Sequence, residues 1–189
     1  MRLNDMSPAR AFVSRSGLKL AAALDAFHLD PTGLSCADLG SHVGGFVDCL
    51  LQRGATRVYA VDTCYGTLAW KLRRDERVVV HERTNALHFV SPQPVALVTI
   101  DVGWTRQRAV LESARRMLRP DGAIVTLIKP HYEAPGERLV DGVLPDHWFA
   151  STVEGTLNTV AELGFRVVDT LESPIRGHAG NREVLAHLL

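Results

Sequence analysis

Five short apolar runs, each ending on or just before a polar residue, constrain this 189-residue chain more than any other feature. Leu34–Asp38, Val58–Asp62, Val78–His81, Val95–Asp101 and Ala123–Lys129 are mostly rich in β-branched residues and read as strands. Amphipathic segments at Phe46–Arg53, Leu68–Arg73 and Ala109–Leu118 read as the helices between them. This alternation predicts a mostly parallel sheet covered on both faces. An earlier helix, Leu18–Phe27, has Ser14 and Ser16 as candidate caps, and a later one, Asp146–Leu163, has Asp146. Two last strands, Phe165–Leu171 and Glu183–Leu188, are joined by Ser173–Arg182, which most simply makes the final strand antiparallel to its neighbour. The expected class is α/β, with a mostly parallel seven-stranded sheet and an antiparallel last strand.

The length fits one domain over residues 1–189, with residues 1–11 as a flexible tail. No apolar run approaches the ~20 residues of a membrane span, and the first residues lack the apolar core of a secretory signal. Cys36, Cys49 and Cys64 are odd in number and scattered, as expected of reduced thiols, so the cytoplasm is the expected compartment. The zero net charge hides an asymmetry: residues 1–120 carry 16 Lys/Arg against 11 Asp/Glu, and residues 121–189 carry 5 against 10. A basic first part suits a polyanion, and an ordinary solvated surface accounts for it equally well.

In a parallel α/β sheet, ligands bind beyond the carboxyl ends of the strands. Asp38, Asp62, Asn85, Asp101 and Lys129 end strands or follow them closely, and Glu183 opens the last one. If that strand is antiparallel, all six reach one crevice. The first loop, Asp38-Leu-Gly40-Ser-His-Val-Gly44-Gly45-Phe46, uses glycines for close backbone approach but lacks the G-x-G-x-x-G spacing of dinucleotide enzymes. S-adenosylmethionine (AdoMet) needs no phosphate cradle; it offers a sulfonium, an amino-acid tail and a ribose. Asp38 can serve the cation or the tail, Asp62 the ribose hydroxyls, and Asn85 with the backbone near Ala86 the adenine edge. Another nucleotide-like ligand remains open.

Lysine is scarce: 18 Arg stand against Lys19, Lys71 and Lys129. Lysine can lose its proton when its pKa falls, whereas arginine in practice cannot. Lys129 ends a core strand on the functional edge, and Lys19 lies on a helix that can reach the same crevice. Two ammonium groups in proximity would disfavour each other's charge and yield a base for a weakly acidic hydroxyl.

Ser14-Arg15-Ser16-Gly17-Leu18-Lys19-Leu20, the Asp38–Phe46 loop, Ala60-Val61-Asp62, Glu82-Arg83-Thr84-Asn85, Ile100-Asp101-Val102, Ile128-Lys129-Pro130 and Gly180-Asn181-Arg182-Glu183 follow in order. This set resembles the FtsJ-type RNA 2′-O-methyltransferases, in particular their TlyA, or hemolysin-A-like, branch, from about Phe12 onward. The resemblance implies a Rossmann-like AdoMet-dependent methyltransferase fold and an RNA substrate, with ribosomal RNA as the first candidate. It also implies a catalytic tetrad of Lys19, Asp101, Lys129 and Glu183, in which Lys129 deprotonates or orients the 2′-hydroxyl and the two acids hold the lysines. Cofactor contacts would come from Asp38, Gly40, Gly44, Gly45, Phe46, Asp62 and Asn85. The branch's N-terminal S4 RNA-binding domain has no counterpart before the motifs, so a partner supplying RNA binding is an expectation; the sequence leaves the oligomeric state open. Val-Gly-Trp-Thr-Arg follows Asp101 where the family has Val-Ser-Phe-Ile-Ser, and His42-Val43 stand where it has small residues.

Other features carry two readings. Trp104 and Tyr132 suit base stacking or core packing. Lys71, Arg73, Arg74 and Arg77 suit a solvated helix end or an RNA contact. His131 to Pro145 suits a lid or a surface connection, and His42 and His131 suit local hydrogen bonding. No His/Cys spacing suggests a metal. Rival functions are methylation of another RNA class or a small molecule, and a non-catalytic AdoMet- or RNA-binding protein.

Overall fold

A computed structural model describes residues 12–189; the expected tail, residues 1–11, lies outside the described residues. Seven strands form one sheet in the order β3-β2-β1-β4-β5-β7-β6. The strands are β1 (Ser35–Leu39), β2 (Arg57–Val61), β3 (Val78–His81), β4 (Val95–Ile100), β5 (Leu118–Ile128), β6 (Val167–Glu172) and β7 (Val184–Leu188). β1 to β5 pair in parallel, and β7 runs antiparallel to both β5 and β6. The last strand is therefore antiparallel as its short connection predicts.

Period-two alternation divides the core between the two faces of the sheet. Cys36, Val58, Ala60, Leu97, Val125 and Leu185 pack with α1 (Ser16–Ala26) and α2 (Gly45–Gln52). Ala37, Leu39, Tyr59, Val98, Ile124 and Ala186 face the other way, toward α4 (Gln107–Met117) and α6 (Asp146–Glu162). Leu39, Ile100, Ile124 and Ile128 are wholly buried. Each such side chain stabilises the fold by about 1.5–3 kcal/mol, which fixes the strand ends where the polar residues begin.

Three local expectations shift. Ser14 and Ser16 do not cap α1: Arg15 holds the cap position, and the two hydroxyls bond each other at 2.7 Å. Pro145 precedes α6, leaving Asp146 in its first turn to meet Arg182 at 3.3 Å. β5 starts five residues before Ala123, because the chain leaves α4 already extended at Leu118 and pairs with Val95 ahead of a register shift. The His131 to Pro145 stretch includes the end of α5 (Pro130–Glu133), a 3-10 turn at Gly136–Arg138 and a bridge between Val140 and Val143. α3 (Trp70–Arg73) is one short turn. Arg73 is engaged with Glu82 and Arg77 with Asp75, so both charges are locally paired. Among the described residues, no helix is long and apolar enough to cross a membrane.

Candidate active site

The strand order brings the carboxyl ends of β1, β2, β4 and β5 beside the start of β7. A cleft of about 670 Å³ opens there, within the range of small-molecule sites. Its walls include Ser14, Ser16, Gly40, His42, Asp62, Asn85, Asp101, Trp104 and Lys129.

Lys129 Nζ lies 2.7 Å from Asp101 Oδ1 and donates to the Val102 carbonyl at 3.0 Å. A second pair joins Lys19 to Glu183 across 164 positions of sequence, with both residues buried. Taking two charges out of water is costly unless they meet, so each member of this pair depends on the other. His131 links the neighbourhoods. It is buried, and burial, followed by the charges of Lys129, His178 and Lys19, lowers its pKa to about 4. Both lysines thus act on one neutral imidazole.

The first loop is geared to the Asp101 turn. Gly40 has φ +89, and a Cβ there would stand 2.5 Å from the Asp101 carbonyl oxygen. Asp101 N–H in turn donates to the Leu39 carbonyl at 2.9 Å. Gly44, Gly45 and Phe46 do not line the cleft. Gly44 caps α2, Gly45 lets α2 abut the hydroxyls of Ser14 and Ser16, and Phe46 is core.

Asp62 Oδ2 accepts the His42 N–H at 2.8 Å and Oδ1 the Cys64 N–H at 2.7 Å, tying β2 to the first loop. Asn85 Oδ1 accepts the Leu87 N–H at 2.9 Å; its amide nitrogen has no partner among the described residues. Asp38 lies outside the lining, fully buried. Its Oδ1 accepts the Thr99 hydroxyl at 2.7 Å, and its Oδ2 has no partner. Burial raises its pKa to about 7, against the Thr99 hydrogen bond, and the charges of Asp101 and Asp62 add to the rise. Three carboxyl groups therefore share one neighbourhood, an arrangement suited to a cation.

At the mouth, Trp104 is 89% exposed in the left-handed region, φ +54, and stacks on Tyr132 with centroids 5.0 Å apart. His131 packs on the same tyrosine at 4.2 Å. Lys71, the third lysine, lies 2.9 Å from buried Asp48. Ser14 and Ser16 line the cleft instead of capping α1, and His131 lies in the field of both lysines; nearness in the chain to Lys19 and Lys129 is the signal that marks them. Glu82, which the sequence marks only as part of a motif, has a structural part. It holds Arg73 and the Gly66 N–H (3.0 Å), ordering the loop after Asp62, and the Arg73 hydrogen bond lowers its pKa to about 2.

The sheet order and the cleft at its carboxyl edge define a Rossmann-like methyltransferase fold. Fibrillarin from Aeropyrum pernix, solved with bound S-adenosyl-L-methionine, shares that fold at a TM-score of 0.65 and 19% identity, over 90% of this chain and 74% of that one. The chain belongs to the FtsJ-like methyltransferase family, whose profile matches residues 12–188. It is 40% identical over 180 residues to the 16S/23S rRNA (cytidine-2′-O)-methyltransferase TlyA of Mycobacterium tuberculosis, covering 92% of this chain and 67% of the relative. A crystal structure described as a "putative hemolysin" from Lactococcus lactis superposes with a TM-score of 0.91 at 42% identity, over 95% and 89% of the two chains. The chain spans about two thirds of the length of the first curated relatives it matches.

Proposed function

We propose that this protein methylates a ribose 2′-hydroxyl of RNA, using AdoMet, with ribosomal RNA as the first candidate and the cytoplasm as the setting. The observation that carries the reading is the Lys129–Asp101 pair on the wall of a cleft that Asp62 and the first loop also line. The TlyA relative's name supports the substrate class.

The residues present fit the cofactor. The neighbouring carboxyl groups of Asp38, Asp62 and Asp101 favour a cation. Each Asp62 oxygen, with one N–H accepted, retains capacity for a ribose hydroxyl. The unpartnered Asn85 amide can meet an acceptor on a base. AdoMet, when bound, supplies an electrophilic methyl carbon on a sulfonium. Lys129 Nζ, oriented by Asp101 and the Val102 carbonyl, holds the 2′-oxygen; once one of its ammonium protons has passed to Asp101 or to solvent, the amine takes the hydroxyl proton. Positioning supplies much of the rate. The Lys19–Glu183 pair is a fixed, neutral backing for this edge, and the Trp104–Tyr132 stack offers a planar surface for a base.

The test is transfer of a tritiated methyl group from AdoMet to ribosomal RNA, followed by nuclease digestion. Label in a 2′-O-methylated nucleoside supports the proposal; label confined to base-methylated nucleosides overturns it.

A further inference from the structure

A second pocket, of about 290 Å³, lies among α4, α5, α6 and the turn after α5. Its wall carries three guanidinium groups, Arg106, Arg108 and Arg138, and four hydroxyls from α6 and its first turns. The same two segments that bring Asp101 and Lys129 to the cleft continue into this wall, reaching it at Arg106 and Glu133.

Three observations point to an anion. Arg106 and Arg138 have no ion-pair partner within 4.0 Å among the described residues, and the Arg108–Glu162 pair, at 3.3 Å with both side chains at least 60% exposed, is weak. Arg138 is held against the Trp148 ring, 4.1 Å from its centroid, so less side-chain freedom is lost when it binds. Ser151, Thr156 and Thr159 donate their hydroxyl protons to helix carbonyls, but the Thr152 hydroxyl, on a residue 8% exposed, has no partner. A buried hydroxyl without a partner is costly unless something supplies one.

One acid, Glu133, shares the wall. Its Oε1 accepts the Gln107 N–H at 2.7 Å, and burial pushes its carboxyl pKa up, which eases protonation when an anion approaches. Arg106 and Arg138 against Glu133, with Arg108 offset by Glu162, leave the pocket positive in a chain with no net charge.

We propose that Arg106, Arg108, Arg138 and Thr152 form a phosphate site that grips a backbone phosphodiester of the RNA substrate. The inference rests on the RNA reading above. Guanidinium forks match phosphate oxygens, and a backbone contact positions RNA without reading its sequence.

The probes are inorganic pyrophosphate and a fluorescein-labelled single-stranded RNA of mixed sequence. The variants are Arg106→Gln/Arg138→Gln and Thr152→Val, with AdoMet affinity as the control for folding. In the wild type, pyrophosphate should raise the melting temperature and compete with RNA. The double variant should lose the pyrophosphate effect and bind RNA roughly tenfold more weakly at low salt, with a shallower dependence of log K on log salt. Thr152→Val should weaken both pyrophosphate and RNA by a few fold, as expected for one lost neutral hydrogen bond, and leave the salt slope unchanged. RNA affinity and salt slope unchanged in the double variant would overturn the proposal. Loss of only the pyrophosphate effect would mark a free-anion site and overturn it as well. If the wild type binds pyrophosphate through these arginines but no RNA, the RNA reading falls with it; methyl transfer to RNA that survives in a variant with unchanged RNA affinity sinks the pocket alone.

Discussion

Asp38 shows how one buried group can report on the site. Its pKa, raised to about 7, lies above the ordinary 3.8, so the folded protein holds a proton there that the unfolded chain releases. Its contribution to stability therefore falls as pH rises from about 4 to about 7. The Asp38→Asn variant should remove that part of the slope, which urea unfolding across this window will measure against the wild type. A cation bound beside Asp38, Asp62 and Asp101 favours the ionised carboxyl, so AdoMet binding should release a proton and tighten as pH rises toward about 7. Calorimetry in buffers of different ionisation enthalpy should record less proton release in Asp38→Asn. Equal proton release in the two proteins would separate Asp38 from the cofactor's field. Glu82 has the opposite sign. Its depressed pKa contributes stability above about 4.5 that is lost as pH falls toward about 2. Glu82→Gln should thus cost stability at neutral pH and little at pH 2, in the same unfolding measurement.

At the scale of elements, the turn after β1 and the turn after β4 are packed directly against each other. Gly40→Ala would place a methyl group against the Asp101 carbonyl from a backbone at φ +89. A loss of about 1–3 kcal/mol in unfolding free energy is expected, with a fall in methyl transfer larger than the stability loss explains, because Asp101 shifts with its backbone. The seven strands and the four longer helices are legible in the sequence; α5 and the 3-10 turns are not. Parallel strands buried on both faces read as continuous apolar runs, and each run stops where the edge of the sheet begins. The start of β5 was not legible, because Leu118 is recruited by pairing with Val95, a contact 23 positions away. The caps were misread because Ser14 and Ser16 turn toward each other and α2, which only the packing of α1 against α2 decides.

Across the whole molecule, the Lys19–Glu183 pair joins the first helix to the last strand. Lysine scarcity and motif order pointed to both lysines. Which acid each would meet has no signal in the sequence or the resemblance and depends on the packing, and His131 has none beyond its place after Lys129. Lys19→Met should cost about 3–5 kcal/mol by stranding Glu183, while Lys19→Met/Glu183→Leu should recover most of it. A double variant as unstable as the single would show that the pair is not a closed unit. In the proposed reaction the proton transfer falls to Lys129. Single-turnover methyl transfer to ribosomal RNA by Lys129→Ala, measured beside AdoMet affinity, is the most direct test. A rate lower by about 100- to 10,000-fold with AdoMet affinity within a few fold is expected. An undiminished rate with AdoMet still bound would contradict the account.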